Sequence, residues 1–219
     1  MAQRRIPETD SGITGQFTCE MYNEMQRRFR DRGWMETDDI IKSGITSGHA
    51  LEVGPGPGYL GLEWLRKTEG TRLTGLDISP DMLEICRRNA AEYALSDRAT
   101  YVESKGQSMP FEDGYFDAVF TNGSLHEWQN PVDVMNEIAR VLKPGGRYFI
   151  SDLRRDMNPL LRWIMWLGCR PKGMRPGLTT SVNAAYTPDE LRNIVGRSTL
   201  ETPRVHGNAI GLSICQAGS

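Results

Sequence analysis

Five residues of only two kinds, Gly54-Pro55-Gly56-Pro57-Gly58, interrupt the chain between two apolar runs. Proline lacks a backbone N–H, and glycine loses the most freedom on ordering, so neither a strand nor a helix continues through them. The flanks read as a short buried strand over 50–53 and a helix over 59–67, with Leu60, Leu62, Trp64 and Leu65 apolar. Strand, glycine turn and helix make the ligand corner of an open, doubly wound α/β sheet. Glycine there lets a ligand meet bare backbone, and the free N–H groups of the helix attract its negative end.

Residues 72–76 read as the next strand, ended by Asp77. A carboxylate about twenty residues past the turn suits a ribose diol, two O–H donors meeting two acceptor oxygens. The pocket is therefore expected to take a nucleoside. Three residues after Gly56 stands Tyr59, where a dinucleotide site wants a third glycine. Its ring is expected to close the space a pyrophosphate would need.

Four segments, "LEVGPGPG", "GLDISPDML", "MPFEDGYFDAVFTNGSLHEW" and "EIARVLKPGGRYFISD", follow one another across residues 48–152. In that order they resemble the motif series of class I S-adenosylmethionine-dependent methyltransferases, closest in flavour to the ubiquinone and menaquinone biosynthesis group. The resemblance implies a mostly parallel seven-stranded sheet with helices on both faces and an antiparallel last strand. It implies one methyltransferase domain over 1–219, with a cap segment at 1–47 and a lid insertion at 154–186. It also implies S-adenosylmethionine as cofactor, S-adenosylhomocysteine as product and a small-molecule methyl acceptor. The implied cofactor residues are Tyr22, Glu52, Gly54, Gly56, Tyr59, Asp77, Ile78, Met82, Gly106, Gln107, Asn122 and Gly123. One departure stands out: Lys105 occupies the position where relatives carry an Asp that accepts from the adenine amino group. Lysine has donors only. Gln107, a backbone carbonyl or a shifted loop must then supply the acceptor.

The totals exclude some partners. A net charge of −2 offers no basic field for nucleic acid. No apolar run reaches membrane-spanning length, and no N-terminal apolar stretch follows the early arginines. Cys19, Cys86, Cys169 and Cys215 are scattered without a Cys-x-x-Cys pair, which suits a reduced cytoplasmic protein. A thiolate site for a soft metalloid lacks support from their spacing.

Residues 1–15 read as a polar arm that orders on binding. A helix is expected over 19–32, packing on the sheet edge or capping the cofactor with the Tyr22 hydroxyl. A second helix is expected over 37–47. Ser79 and Pro80 open another as N-cap and first residue. Strands are expected over 99–103, 116–122 and 147–152, a helix over 131–142, and a structural turn at 143–146. Thr187 and Glu190 spell a capping box. Residues 200–216 read as a hairpin turning around 206–208. The basic, Trp-containing stretch 154–183 reads as a lid helix packed on the domain, a clamp for an anionic acceptor, or, through 154–175, a peripheral lipid contact.

Methyl transfer from a sulfonium needs alignment and water exclusion; no metal or nucleophilic side chain is required. A general base is needed only where the acceptor must lose a proton. His126 is the candidate, since imidazole titrates near neutrality, with shaping the pocket as its rival role. Asp152 and Tyr186 are candidates for orienting the acceptor. Two other functions stay open: a non-catalytic S-adenosylmethionine-binding protein, and a nicotinamide-dependent oxidoreductase.

Overall fold

The computed structural model describes residues 4–8 and 12–216. Seven strands form one sheet in the order β3-β2-β1-β4-β5-β7-β6. They are β1 (His49–Val53), β2 (Arg72–Asp77), β3 (Ala99–Glu103), β4 (Phe116–Asn122), β5 (Leu142–Leu153), β6 (Pro203–Gly207) and β7 (Gly211–Gln216). β1 to β5 pair in parallel, and β7 runs antiparallel between β5 and β6. The order reverses at β1, which puts a crevice at the carboxyl ends of β1 and β4.

Alternation along the central strands builds two cores. Leu51, Val119, Tyr148 and Ile150 face one side, against α5 (Pro131–Val141) and α8 (Pro188–Val195). Ala50, Ala118, Phe120 and Phe149 face the other, against α3 (Tyr59–Lys67) and its buried Trp64. Both faces are covered, so these strands are apolar at successive positions.

The other helices hold the periphery: α1 (Gln16–Asp31), α2 (Thr37–Lys42), α4 (Pro80–Glu92), α6 (Pro159–Gly168) and α7 (Arg175–Ala184). Ser79 caps α4 through the Met82 N–H, and Thr187 and Glu190 form both bonds of the capping box on α8. Three expectations need correction. α2 stops at Lys42 because Gly44 turns left-handed at φ 90°; Ile45 then packs separately and accepts from Trp64 Nε1 at 2.8 Å. The turn expected at 143–146 lies within β5 rather than before it: Phe116 pairs with Leu142 and Ala118 with Arg147, so 143–146 bulge out between them, with Gly145 left-handed at φ 76°. The hairpin turns slightly later than expected, where Asn208 Oδ1 accepts from the N–H groups of Ile210 and Gly211.

Close contact between α3 and the sheet depends on Gly61. A Cβ there would overlap Glu52 Oε2 and Leu73 Cδ2. Gly61 lies three residues after Gly58, so Gly56, Gly58 and Gly61 have the dinucleotide spacing. The substitution of tyrosine for the third glycine, read from Gly56, therefore does not exclude a dinucleotide. Gly61→Ala should destabilise the fold by about 1–3 kcal/mol, the scale of overpacking a dense core; urea denaturation measures it, and an unchanged midpoint would contradict the contact.

Candidate active site

The corner after β1 is held open by backbone geometry. Gly54, Gly56 and Gly58 have φ of 65°, 53° and 84°, a region that favours glycine. A Cβ on Gly54 would lie 2.8 Å from Ser124 Cβ, and one on Gly56 would lie 3.1 Å from Tyr22 Cε1. Groups from neighbouring elements fasten the turn. Gly54 N–H donates to Leu76 O at 2.8 Å, Cys86 Sγ donates to Gly56 O at 2.8 Å, and Asn89 Nδ2 donates to Pro57 O at 2.8 Å.

Every cofactor residue expected from the sequence lines the cleft above this corner. Tyr22 roofs it from α1, its hydroxyl accepting from Gln26 Nε2 at 2.8 Å. Burial raises that phenol's pKa, so it is a neutral O–H. Tyr59 is fully buried, and its hydroxyl accepts from Arg27 Nε at 2.9 Å. Asp77 stands at the end of β2 with Oδ1 accepting from Ser79 N–H at 2.9 Å. Ile78 and Met82 follow it on the wall, and Met82 also packs with Cys19 and Ile85. Gly106 and Gln107 continue the wall, with Lys105 beside them. Asn122 donates to Ser151 Oγ at 3.0 Å, and Gly123 turns left-handed at φ 71°.

Three carboxyl groups of the cleft are pushed up by burial. Glu52 rises to about 8, partly offset by the Gly61 backbone, and its Oε2 has no hydrogen-bond partner. Asp77 rises to about 6 against backbone N–H groups of Ser79, Gly56 and Ile78. Glu127 rises to about 7, where the charge of His126 opposes burial and Glu8, Asp77 and Asp152 add to it. A positively charged ligand would relieve all three; an anionic one would not.

His126 sits behind the wall of the cleft. A 3-10 turn, Leu125–Glu127, follows β4 and sends the ring inward. The ring is buried and is not among the residues lining the cleft. Nδ1 lies 2.9 Å from Asp152, and Nε2 lies 3.4 Å from Glu8 Oε2. Burial alone would lower its pKa, but Asp152 and Glu8 outweigh that and push it to about 10. A charged imidazole has no lone pair with which to take a proton, so the base role does not follow from this placement. Tyr186 lies under the Arg5 guanidinium, 4.2 Å from ring centroid to Cζ, and does not line the cleft either.

The N-terminal residues are the part least legible in the chain. Arg5 donates to Ala184 O at 2.5 Å and His126 O at 2.9 Å, and Ile6 N–H donates to Asn183 O at 3.1 Å. Residues 4–8 are thus held against α7; 1–3 and 9–11 of the arm expected over 1–15 lie outside the described residues. Gly12, Ile13, Gln26 and Met35 also line the cleft without having been singled out. Of these, only Gln26 carried a signal, four residues after Tyr22 on one helix face.

Residues 51–150 match the family model described as a methyltransferase domain. The chain is 41% identical over 105 residues to the sterol 4-C-methyltransferase strm-1 of Caenorhabditis elegans, an alignment covering 48% of this chain and 31% of that one. It is 27% identical over 197 residues to the demethylmenaquinone methyltransferase of Deinococcus radiodurans, covering 85% and 81%. The chain spans less than half the length of the curated relatives first matched, 31% and 45%. A solved SAM-dependent methyltransferase from Aquifex aeolicus shares the fold, with TM-score 0.64, 19% identity and coverage of 83% and 88%. The [4+2]-cyclase SpnF does so too, with TM-score 0.57, 20% identity and coverage of 82% and 78%.

Glu52 gives this site a pH signature. Its raised pKa means the folded chain holds a proton that the unfolded chain releases above the ordinary carboxylate range. Stability without ligand should therefore fall as pH rises from about 4.5 to 8. Glu52→Gln should flatten that slope and add a few kcal/mol at pH 8; denaturant titrations across pH test this, and an unchanged slope would refute it.

Proposed function

We propose, from the premise that residues 51–150 form a class I S-adenosylmethionine-dependent methyltransferase domain, that the protein moves a methyl group to a small, largely apolar acceptor. The observation that carries this is the charge of the cleft. Glu52, Asp77 and Glu127 all sit where burial disfavours their ionised forms. A nucleoside bearing a sulfonium and an ammonium supplies the missing positive charge. The pyrophosphate of a nicotinamide dinucleotide adds negative charge to the same space. Cleft charge, rather than glycine spacing, thus favours the sulfonium donor over NAD.

The residues divide the work by position. Gly54 and Gly56 present bare backbone to the amino-acid tail, and Glu52 faces its ammonium. Asp77 takes the ribose hydroxyls. Ile78 and Met82 flank the adenine, with Gly106 and Gln107 along its edge. When bound, S-adenosylmethionine supplies a methyl group on a positively charged sulfur, already activated for in-line attack. The protein aligns an acceptor and excludes water, with Tyr22, Trp128 and the N-terminal residues closing the cleft. The described part of the cap, residues 4–8 and 12–47, and the lid, residues 154–186, cover the acceptor side.

The acceptor class rests on α6 and on the relatives. No residue of α6 is buried; Leu160, Trp163 and Ile164 are 61%, 57% and 50% exposed, beside the exposed Lys172. Among the described residues no helix is long and apolar enough to cross a membrane. An exposed apolar helix rimmed by cations suits peripheral contact with an anionic lipid surface. The relatives' names point to apolar acceptors, a sterol and demethylmenaquinone.

S-adenosylhomocysteine should raise the melting temperature and NAD should not; stabilisation by NAD alone would overturn the cofactor assignment. Asp77→Ala should weaken that binding by about 1–3 kcal/mol. Ribose hydroxyls donate to the ionised carboxylate, so binding releases a proton, and affinity should fall as pH drops through about 6. Calorimetry at several pH values reads this, and a flat profile argues against Asp77 as the ribose partner. For the lipid contact, the protein should co-sediment with vesicles of anionic phospholipid and lose this in Trp163→Ser; equal sedimentation of the variant would refute the role of α6.

A further inference from the structure

Beside the donor cleft, Glu8, His126 and Glu127 converge so that one ligating atom of each lies within 4.8 Å of the others. We propose that these three side chains bind a divalent cation, placed to hold an oxygen of the methyl acceptor. The absence of a metal requirement for methyl transfer in general leaves open that this chain uses one.

The geometry of the histidine is the second, independent observation. Its Nδ1 lies 2.9 Å from both carboxylate oxygens of Asp152. Asp152 is itself fixed, accepting the His126 backbone N–H at 2.7 Å and the Leu153 N–H at 2.6 Å. A proton on Nδ1 shared with a locked carboxylate fixes the ring with Nε2 pointing the other way; a cation there displaces the Nε2 proton and takes its lone pair, the arrangement that orients histidine toward a metal. Here Nε2 is buried without a hydrogen-bond partner, on a side chain only 5% exposed. It faces Glu8, whose Oε2 is 3.4 Å away but makes no hydrogen bond to it.

Charge points the same way. When a cation takes the place of the Nε2 proton the ring is neutral, and Glu8, Glu127 and Asp152 bring up to three negative charges around it. Arg5, which donates to the His126 carbonyl, brings one positive charge. A divalent ion balances the remainder. Its ligands would lie about 2.0–2.2 Å from it, so the three atoms need to close by only a fraction of their present spacing. One imidazole and two carboxylates suit a borderline to hard ion such as Zn2+ or Mn2+, with positions left for an acceptor. Glu127 lines the donor cleft while His126 does not, so the ion would lie between the cleft and the N-terminal residues. An ion there can hold and acidify an acceptor hydroxyl or enol. This role rests on the methyl-transfer reading; the binding of the ion does not.

The test uses the full chain, stripped with chelator and without donor. Mn2+ binding is followed by the electron paramagnetic resonance of the free ion, and Zn2+ binding by competition with a chromophoric chelator. One Mn2+ or Zn2+ per chain is expected, with affinity reduced at least tenfold in Glu8→Gln and about 10- to 100-fold in Asp152→Asn. Glu8→Gln changes a partly exposed residue outside both cores, and its melting temperature, measured alongside, separates ligand loss from unfolding. No binding of either ion at millimolar concentration overturns the proposal, as does an affinity unchanged by Glu8→Gln. Stabilisation by S-adenosylhomocysteine, measured on the same stripped protein, reports on the donor site separately. Its survival alongside absent metal binding removes the ion and leaves the donor reading intact.

Discussion

Bare backbone at the end of β1 is the constraint on which the cleft depends. Side chains crowd Gly54, Gly56 and Gly58 so closely that a methyl group on any of them would press on a neighbour: Ser124 from the turn after β4, Tyr22 from α1, and Tyr101 from β3. The left-handed φ values add a second reason for glycine at the same positions. Strand order then puts the corner at the switch point of the sheet, where neighbouring connections diverge and leave room for a ligand.

The cleft is a region of unfavourable charge in the absence of a ligand. Glu52 is 1% exposed and one of its oxygens has no partner. Asp77 and Glu127 are likewise held where water is scarce. Such carboxyl groups cost stability, and a cationic donor recovers part of that cost on binding. Under the proposed function, preference for a sulfonium over a diphosphate follows from the sign of the charge these carboxyl groups can carry.

Much of this was legible in linear order. The glycine turn, the acid ending β2, the Ser79 cap and the Thr187 capping box each depend on residues within a few positions of one another, and each appears as read. Errors arose where a local signal had two readings. Gly44 ended a helix whose apolar pattern continued to Ile45. The run 143–146 turns as read, but β5 begins before it, because Leu142 already pairs with Phe116. Gly61 supplied a packing contact that had been sought at Tyr59, because the glycine that starts the count cannot be chosen without knowing which backbone approaches the strand.

Sequence by itself determined the open α/β sheet, the glycine corner and the acidic end of β2, since short-range sterics and hydrophobic alternation specify those features. Only the tertiary structure decided the surroundings of His126. Glu8 and Asp152 reach that ring, and Arg5 its backbone carbonyl, from positions far away in the chain, and whether an imidazole is a base, a cation or a ligand depends on the charges that meet it in space. No spacing rule encodes that meeting, because it is set by how the N-terminal residues lie across the edge of a finished sheet.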